Sequence, residues 1–166
     1  YCLPENIRQQ ARFTIIGDTN DCDSGLLKKL KDAQGTFSEL EVLDPVPFSE
    51  LIEAYSDFDV IISASRSDPM PIVLTYAFML KKLCLCSDAI GTARLVTDGE
   101  NAVLFNGGDP QDLSSRIQDI IENAGRYSLI AERGAEIFNK YFLMSNFKQK
   151  VRAIDDSLVA CKELKL

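Results

Sequence analysis

The sequence contains no histidine. That absence removes Ser-His-Asp and Cys-His nucleophile systems and every histidine-ligated zinc site. Any chemistry must come from carboxylates, hydroxyls, backbone dipoles or a partner domain. The five cysteines are odd in number and irregularly spaced, which argues against a disulfide framework. Cys84 and Cys86 fall on one face of the apolar run LCLC. With no second cysteine pair nearby, small buried apolar side chains are expected there, not a metal site. No apolar run reaches the length that spans a bilayer, and no repeat or low-complexity segment is present. The first residues, YCLPENIRQQ, lack the basic start and apolar core of a signal peptide, so a cytoplasmic location is the default expectation. Positive charge is also scarce. Eighteen Lys and Arg face 25 Asp and Glu, a net charge of −7. Broad nucleic-acid binding needs a basic surface to displace counterions and is not expected. A local anion site is still allowed, because helix N-termini and single arginines act at short range.

What is present fits one domain. The chain has 166 residues, 46 % of them hydrophobic and 26 % charged, ordinary values for a globular protein with a full core. Short apolar runs predict strands at Phe13 to Ile16, Leu40 to Leu43, Val60 to Ser63, Leu83 to Ser87 and Ala102 to Phe105. Three are nearly continuous in apolar residues, as expected of strands covered on both faces. Helical signals lie between them: Gly25 to Ala33, a segment capped by Ser49, and Pro71 to Lys82, which is apolar around most of its circumference. After the last strand the chain reads as wholly helical. Asp109-Pro110 gives a cap and first-turn proline for a helix ending at Gly125. A second helix is expected over Ile130 to Tyr141. A third opens at Ser145, with Phe147, Val151, Ile154, Leu158 and Cys161 on one face. Strand–helix alternation followed by this tail predicts an α/β fold, a parallel doubly wound sheet with a C-terminal helical extension. The start, LPENIRQQARF, reads as the tail of a helix running into the first strand. A doubly wound sheet normally places a strand and loop before such a helix, so a first βα unit is expected to be missing.

Candidate site residues cluster in SASRSDPMPIVLTYAFMLKK, Ser63 to Lys82. A helix start near Pro71, preceded by Met70 and followed by Ile72, can hold a phosphate through free N–H groups and the helix dipole. A turn set by Asp68-Pro69 is the competing reading. Arg66 can pair with phosphate or Asp68, or face solvent. Tyr76 in an apolar helix favours packing. Gly91-Thr92 reads equally as a phosphate-facing turn or a structural one. Gly17 allows close approach of a nucleotide base or simply a tight turn. Lys81-Lys82 is placed at the helix C-terminus, where it suits the dipole.

Taken in order, LPENIRQQARFTIIGD, VPFSELIEAYSDFDVIISASRSDPMPIVLTYAF, SDAIGTARLVTDGENAVLF and NGGDPQDLSSRIQDII resemble the C-terminal domain of GT-B glycosyltransferases. The group is the large retaining family that includes many bacterial surface-polysaccharide transferases. The resemblance runs from about Leu3 to the final helix. It implies a Rossmann-like domain, the whole of 1–166, that binds a nucleotide diphosphate sugar. It also implies an acceptor, a glycan or lipid-linked, held by a separate N-terminal domain that alone would contact membrane. The full protein would then be cytoplasmic, at most peripheral at the inner face of the membrane. No metal and no cofactor beyond the sugar nucleotide is implied. The family's paired glutamates, E-x7-E, align with Asp68, which would contact the donor sugar, and Tyr76, at the position that holds the ribose. Gly17, Arg66, Met70, Pro71, Ile72, Gly91 and Thr92 would line the same donor site. Pro71 replaces a frequent glycine, Asp44 another, and Arg94 a common glutamate. Tyr76 and Arg94 motivate an alternative, a non-catalytic module that works through protein–protein contact. A flavodoxin-like or receiver domain has less support, since no early acidic cluster ends a first strand.

Overall fold

The structure is a computed structural model and describes residues 2–18 and 23–163. A short helix α1 (Glu5–Arg8) leads into β1 (Phe13–Ile16). Then come α2 (Ser24–Thr36), β2 (Leu40–Leu43), α3 (Phe48–Ser56), β3 (Val60–Ser63), α4 (Ile72–Met79) and β4 (Leu83–Ser87). A 3-10 turn (Gly91–Leu95) precedes β5 (Val103–Phe105), α5 (Pro110–Glu122) and α6 (Ala124–Ile137); a π turn (Phe138–Phe142) then gives way to α7 (Met144–Glu163). The α/β class and helical tail are as the sequence predicts.

Every strand pairing is parallel, but the sheet is divided. β1 pairs with β2, from Phe13 opposite Leu40 to Ile16 opposite Leu43. β3, β4 and β5 form a second sheet in that order, with Val60 opposite Leu83 and Leu85 opposite Val103. One continuous sheet is the sequence expectation. Among the described residues β1 and β3 are not hydrogen-bonded to each other, because apolar runs define strands without saying which strands touch.

The central strand organises the core. All five residues of β4 are buried, and alternation sends Cys84 and Cys86 to one face, Leu83 and Leu85 to the other. On the first face Leu74, Ala77 and Phe78 of α4 pack with Tyr55, Ile90 and Ile137. On the second, Val103 and Phe105 pack with Ile120 of α5 and with Tyr127 and Ile130 of α6. From Leu74 onward α4 is apolar because it packs between the Cys84 and Cys86 face of β4 and the Ile137 end of α6. Burial drives the Cys84 thiol pKa well up and raises Cys86 to about 12, so both behave as small apolar groups. No cluster of potential metal ligands occurs among the described residues. No helix of the described residues is long and apolar enough to cross a membrane.

Several helix boundaries depart from the sequence reading, each for a local reason. α3 is capped by Pro47 and not Ser49, which lies inside the first turn; proline's fixed φ presets the helix start. α4 begins after Pro71 and stops at Met79. There Lys81 takes a left-handed φ of 56°, and the amides of Lys81 and Lys82 donate back to Phe78 O and Ala77 O at 3.2 and 2.8 Å. This pair of bonds is a Schellman close with lysine where glycine is usual. Lys81 and Lys82 are thus beyond the helix, bound to Glu132 and to the Ser56 carbonyl. Gly125 ends nothing, since α6 starts at Ala124 directly after Asn123. Of the expected apolar face of α7, Val151 and Ile154 are exposed; the side chains of Phe147, Leu158 and Cys161 lie outside the described residues.

Candidate functional site

The carboxyl ends of parallel strands are where loops and helix N-termini converge. At this edge of the β3–β4–β5 sheet three loops clasp one another. In the first, residues 64–71, Asp68 Oδ1 accepts from the Met70 N–H at 2.9 Å, an Asx turn that fixes Pro69 and Pro71 ahead of α4. The Asp68 carbonyl then accepts from the Gly91 N–H at 2.9 Å, tying this loop to the one after β4. Gly91 is glycine for contact: a Cβ there would sit 2.0 Å from the Pro69 carbonyl oxygen. Its N–H is already engaged, so it offers no amide to a phosphate. The next residue, Thr92, is buried, and its hydroxyl has no hydrogen-bond partner among the described residues.

The loop after β5 completes the clasp. Its Gly107 N–H donates to Asp88 Oδ1 at 2.8 Å, while the Asp88 N–H donates to the Phe105 carbonyl at 2.9 Å. A Cβ on Gly107 would lie 2.5 Å from Ser87 Oγ and 2.8 Å from Ala89 Cβ. Gly108 follows with φ of 86°, and the Arg66 Nε lies 4.0 Å from where its Cβ would be. Arg66 therefore reaches from the first loop to the third. It is exposed and makes no ion pair among the described residues. Gly107, Gly108 and Asp88 were not singled out from sequence. The signal was the Gly-Gly pair set between a strand and the Asp109 cap, which asks for both close approach and positive φ.

Two helices start at this edge, and they differ. α5 carries its own anions: Asp109 Oδ1 accepts from the Gln111 and Asp112 amides at 2.9 and 3.1 Å, and Arg116 balances Asp112 and Asp98. α4 has Pro71 at its cap, with no side-chain hydrogen bond. The Ile72 and Val73 amides find no acceptor among the described residues, and both side chains are exposed. Asp68, Met70, Pro71, Ile72, Gly91 and Thr92 are thus brought together around an uncapped helix start, with Arg66 on the same loop. Gly17, at the end of β1, shares a cavity of about 350 Å³ with Val46, Leu51, Tyr55 and with Val73 of the first turn of α4.

Tyr76 is on the opposite side of the question. Its ring meets Tyr55 edge-on at 6.5 Å, and it packs against the α4 core cluster. Tyr55 in turn donates to the Val73 carbonyl at 3.0 Å, and burial lifts its pKa to about 12. The packing reading of Tyr76 holds. Arg94 stands exposed on the 3-10 turn.

Parallel strands flanked by helices, with the loops at the strand carboxyl ends locked together around an unsatisfied helix start, define a doubly wound α/β domain with its candidate site at the usual edge. The sequence matches the family "Glycosyl transferases group 1" over residues 2–123, and the chain belongs to that family. It is 26 % identical over 148 residues to an uncharacterized glycosyltransferase of Methanocaldococcus jannaschii, covering 88 % of this chain and 40 % of that protein. The fold superposes on Anabaena HepE, crystallised in complex with UDP-glucose, with a TM-score of 0.76 at 19 % identity, over 92 % of this chain and 43 % of HepE. It also matches the isolated C-terminal domain of a group 1 glycosyl transferase from Francisella tularensis, with a TM-score of 0.65 at 14 % identity, over 84 % of this chain and 94 % of that domain. The chain spans less than half the length of the first two relatives and nearly all of the third's resolved domain. The architecture is that of GT-B glycosyltransferases, as the motif resemblance implies.

Proposed function

We propose that this chain is the donor-binding domain of a retaining glycosyltransferase. In this reading it takes a nucleotide diphosphate sugar at the edge formed by the loops after β3, β4 and β5. The observation that carries the reading is the uncapped start of α4, framed by Asp68 and Arg66, in a chain of the group 1 family. The free Ile72 and Val73 amides and the helix dipole would bear the diphosphate, with Arg66 adding charge as it leaves. Asp68, already oriented by the Met70 amide, keeps its second carboxyl oxygen for a sugar hydroxyl. The base would lodge toward Gly17. Thr92 and Gly91 serve by holding the loops, and Tyr76 by packing behind them.

No protein nucleophile is needed when the acceptor attacks from the face the diphosphate leaves. The acceptor, a glycan or lipid-linked sugar, would be held by a further domain, since a cleft needs two walls to orient reactants and exclude water. That domain would also supply any membrane contact, at the cytoplasmic face. The domain needs no cofactor and no metal beyond the sugar nucleotide in this scheme, and nucleic acid is not a partner.

Melting curves with UDP, GDP, ADP and dTDP test the reading. A nucleotide at a hundredfold its Kd stabilises by about 2.7 kcal/mol and raises Tm. Arg66→Ala should cut the shift given by the best nucleotide without lowering the melting temperature of the free chain. If none of the four shifts the melting of this chain, the reading fails. The second reading, a non-catalytic protein–protein module, is favoured by Tyr76, which packs half-buried against the α4 core cluster at the position where the resemblance implies a ribose-binding acid. It gains if nucleotides bind only after Tyr76→Glu.

A further inference from the structure

The loop after β5 carries a covalent hazard. Asn106-Gly107 is the only Asn-Gly pair in the sequence. The side-chain amide of an asparagine and the nitrogen of the next residue are spaced to close a five-membered ring, and glycine has no Cβ to crowd it. The fold does not allow Gly107 to be enlarged, because a Cβ there would lie 2.5 Å from Ser87 Oγ and 2.8 Å from Ala89 Cβ. Nor is the asparagine side chain held. Asn106 is exposed, and its side-chain amide makes no hydrogen bond among the described residues. By contrast, Asn101 Oδ1 accepts from the Thr97 N–H at 2.8 Å, and Asn123 Nδ2 donates to Asp119 Oδ1 at 2.7 Å.

The backbone of the same pair is tied down instead. The Asn106 N–H donates to Asp112 Oδ2 at 2.7 Å. The Asn106 carbonyl accepts from the Asp109 N–H at 3.0 Å, and the Gly107 N–H donates to Asp88 Oδ1 at 2.8 Å. Both polar ends of the Asn106–Gly107 peptide group are therefore occupied, and the bond to Asp88 is charge-assisted. Asp88 is itself anchored by its own N–H, which donates to the Phe105 carbonyl at 2.9 Å. Ring closure requires the Gly107 nitrogen to turn toward Asn106 Cγ and give up its proton. It therefore proceeds from the opened loop, whose population these bonds set.

We propose that Asn106 is a site of spontaneous covalent modification, and that Asp88 is the positioning residue that holds it in check. In the step, the Gly107 nitrogen bonds to Asn106 Cγ while the Cγ–Nδ2 bond breaks. Nδ2 leaves as ammonia, taking up the proton that the Gly107 nitrogen loses. Water then opens the resulting succinimide. Addition at Cγ gives aspartate at 106, and addition at the backbone carbonyl carbon gives isoaspartate, with one more atom in the main chain. Aspartate sets a new carboxylate close to Asp112 and Asp88. Isoaspartate displaces the Gly107 N–H from Asp88. Either product loosens the tie between the loops after β4 and β5, so the chain carries a slow, irreversible change at the edge where its candidate site lies. This chemistry is independent of the nucleotide reading.

Mass spectrometry of the tryptic peptide 95–116 from aged protein tests it, with fragmentation to separate Asn106 from Asn101. In the native chain Asn106 should convert about tenfold or more slowly than in the urea-unfolded chain. Asp88→Ala should speed native conversion about tenfold to a hundredfold, the effect of losing a hydrogen bond to a charged group. Asp88→Asn can still accept from the Gly107 N–H through a neutral carbonyl and should fall between the two. Asn101, in the same peptide, should keep its native rate in both variants, which separates a released restraint from general unfolding. Asn106→Asp, one of the two products, should melt at a lower temperature than the parent. Equal native and unfolded rates in the parent, no acceleration by Asp88→Ala, or equal acceleration of Asn101 would overturn the inference. So would an Asn106 that stays intact in the unfolded chain, or an Asn106→Asp chain as stable as the parent.

Discussion

Replacing Gly91 by alanine isolates the contact that locks the loops after β3 and β4. The backbone φ of Gly91 is not in the left-handed region, so alanine carries no conformational strain there and the effect is steric. The new Cβ would stand 2.0 Å from the Pro69 carbonyl oxygen and 2.9 Å from its carbon. Both partners are backbone, and neither can swing aside as a side chain would. Relieving the overlap separates the loops and removes the 2.9 Å bond from the Gly91 N–H to the Asp68 carbonyl. Overpacking of this kind costs about 1–3 kcal/mol and a lost hydrogen bond about 0.5–1.5, giving a loss of about 2–4 kcal/mol. For a domain of this size that corresponds to a fall in Tm of about 5–15 °C. Urea titration followed by circular dichroism, with the m-value compared between variants, reads the change directly. Gly35→Ala is the control. It lies in α2, its Cβ would meet nothing within 4 Å, and better helix propensity should stabilise by at most about 1 kcal/mol. If Gly91→Ala unfolds at the same urea concentration as the parent, the clasp between the loops does not exist as described.

Two other outcomes follow from features away from the loops. Lys81→Gly should stabilise the chain by about 1 kcal/mol, because a left-handed lysine is strained and its exposed pair with Glu132 contributes little; an unchanged urea midpoint refutes this. Thiol labelling followed by peptide mapping should modify Cys2 in the native protein and leave Cys84 and Cys86 unmodified until denaturant is added. Native labelling of either would mean that β4 is not the buried centre of the fold.

The strands were legible because burial on both faces writes itself as a continuous apolar run, and four of the five match the expected limits, from Phe13–Ile16 to Leu83–Ser87. The fifth begins one residue late, since Ala102 makes only an isolated bridge with Asp98. Helix ends were less legible where the backbone and not a side chain does the capping, as at Pro47 and Lys81. The division of the sheet could not be read at all, because strand adjacency is a property of distant segments. In the Ser63 to Lys82 stretch a helix start near Pro71 is legible in the sequence, and the apolar surroundings of Tyr76 point to packing; that the start carries no side-chain cap is visible only in the fold. At Gly91 the sequence leaves a phosphate-facing turn and a structural turn equally open, and the close approach of the Pro69 carbonyl, which a sequence cannot display, favours the structural one. Gly107 escaped because its neighbours Ser87 and Ala89 come from another strand end.

Apart from Ile7, every buried apolar side chain among the described residues falls between Tyr55 and Ile137. The same interval holds the three clasped loops. Natural variation in those loops must therefore be absorbed by the very segment on which the cohesion of the domain depends, with little redundancy elsewhere to cushion it. By contrast, no described residue between Phe13 and Leu43 is a buried apolar side chain, so a substitution there disturbs the core less than one between Tyr55 and Ile137.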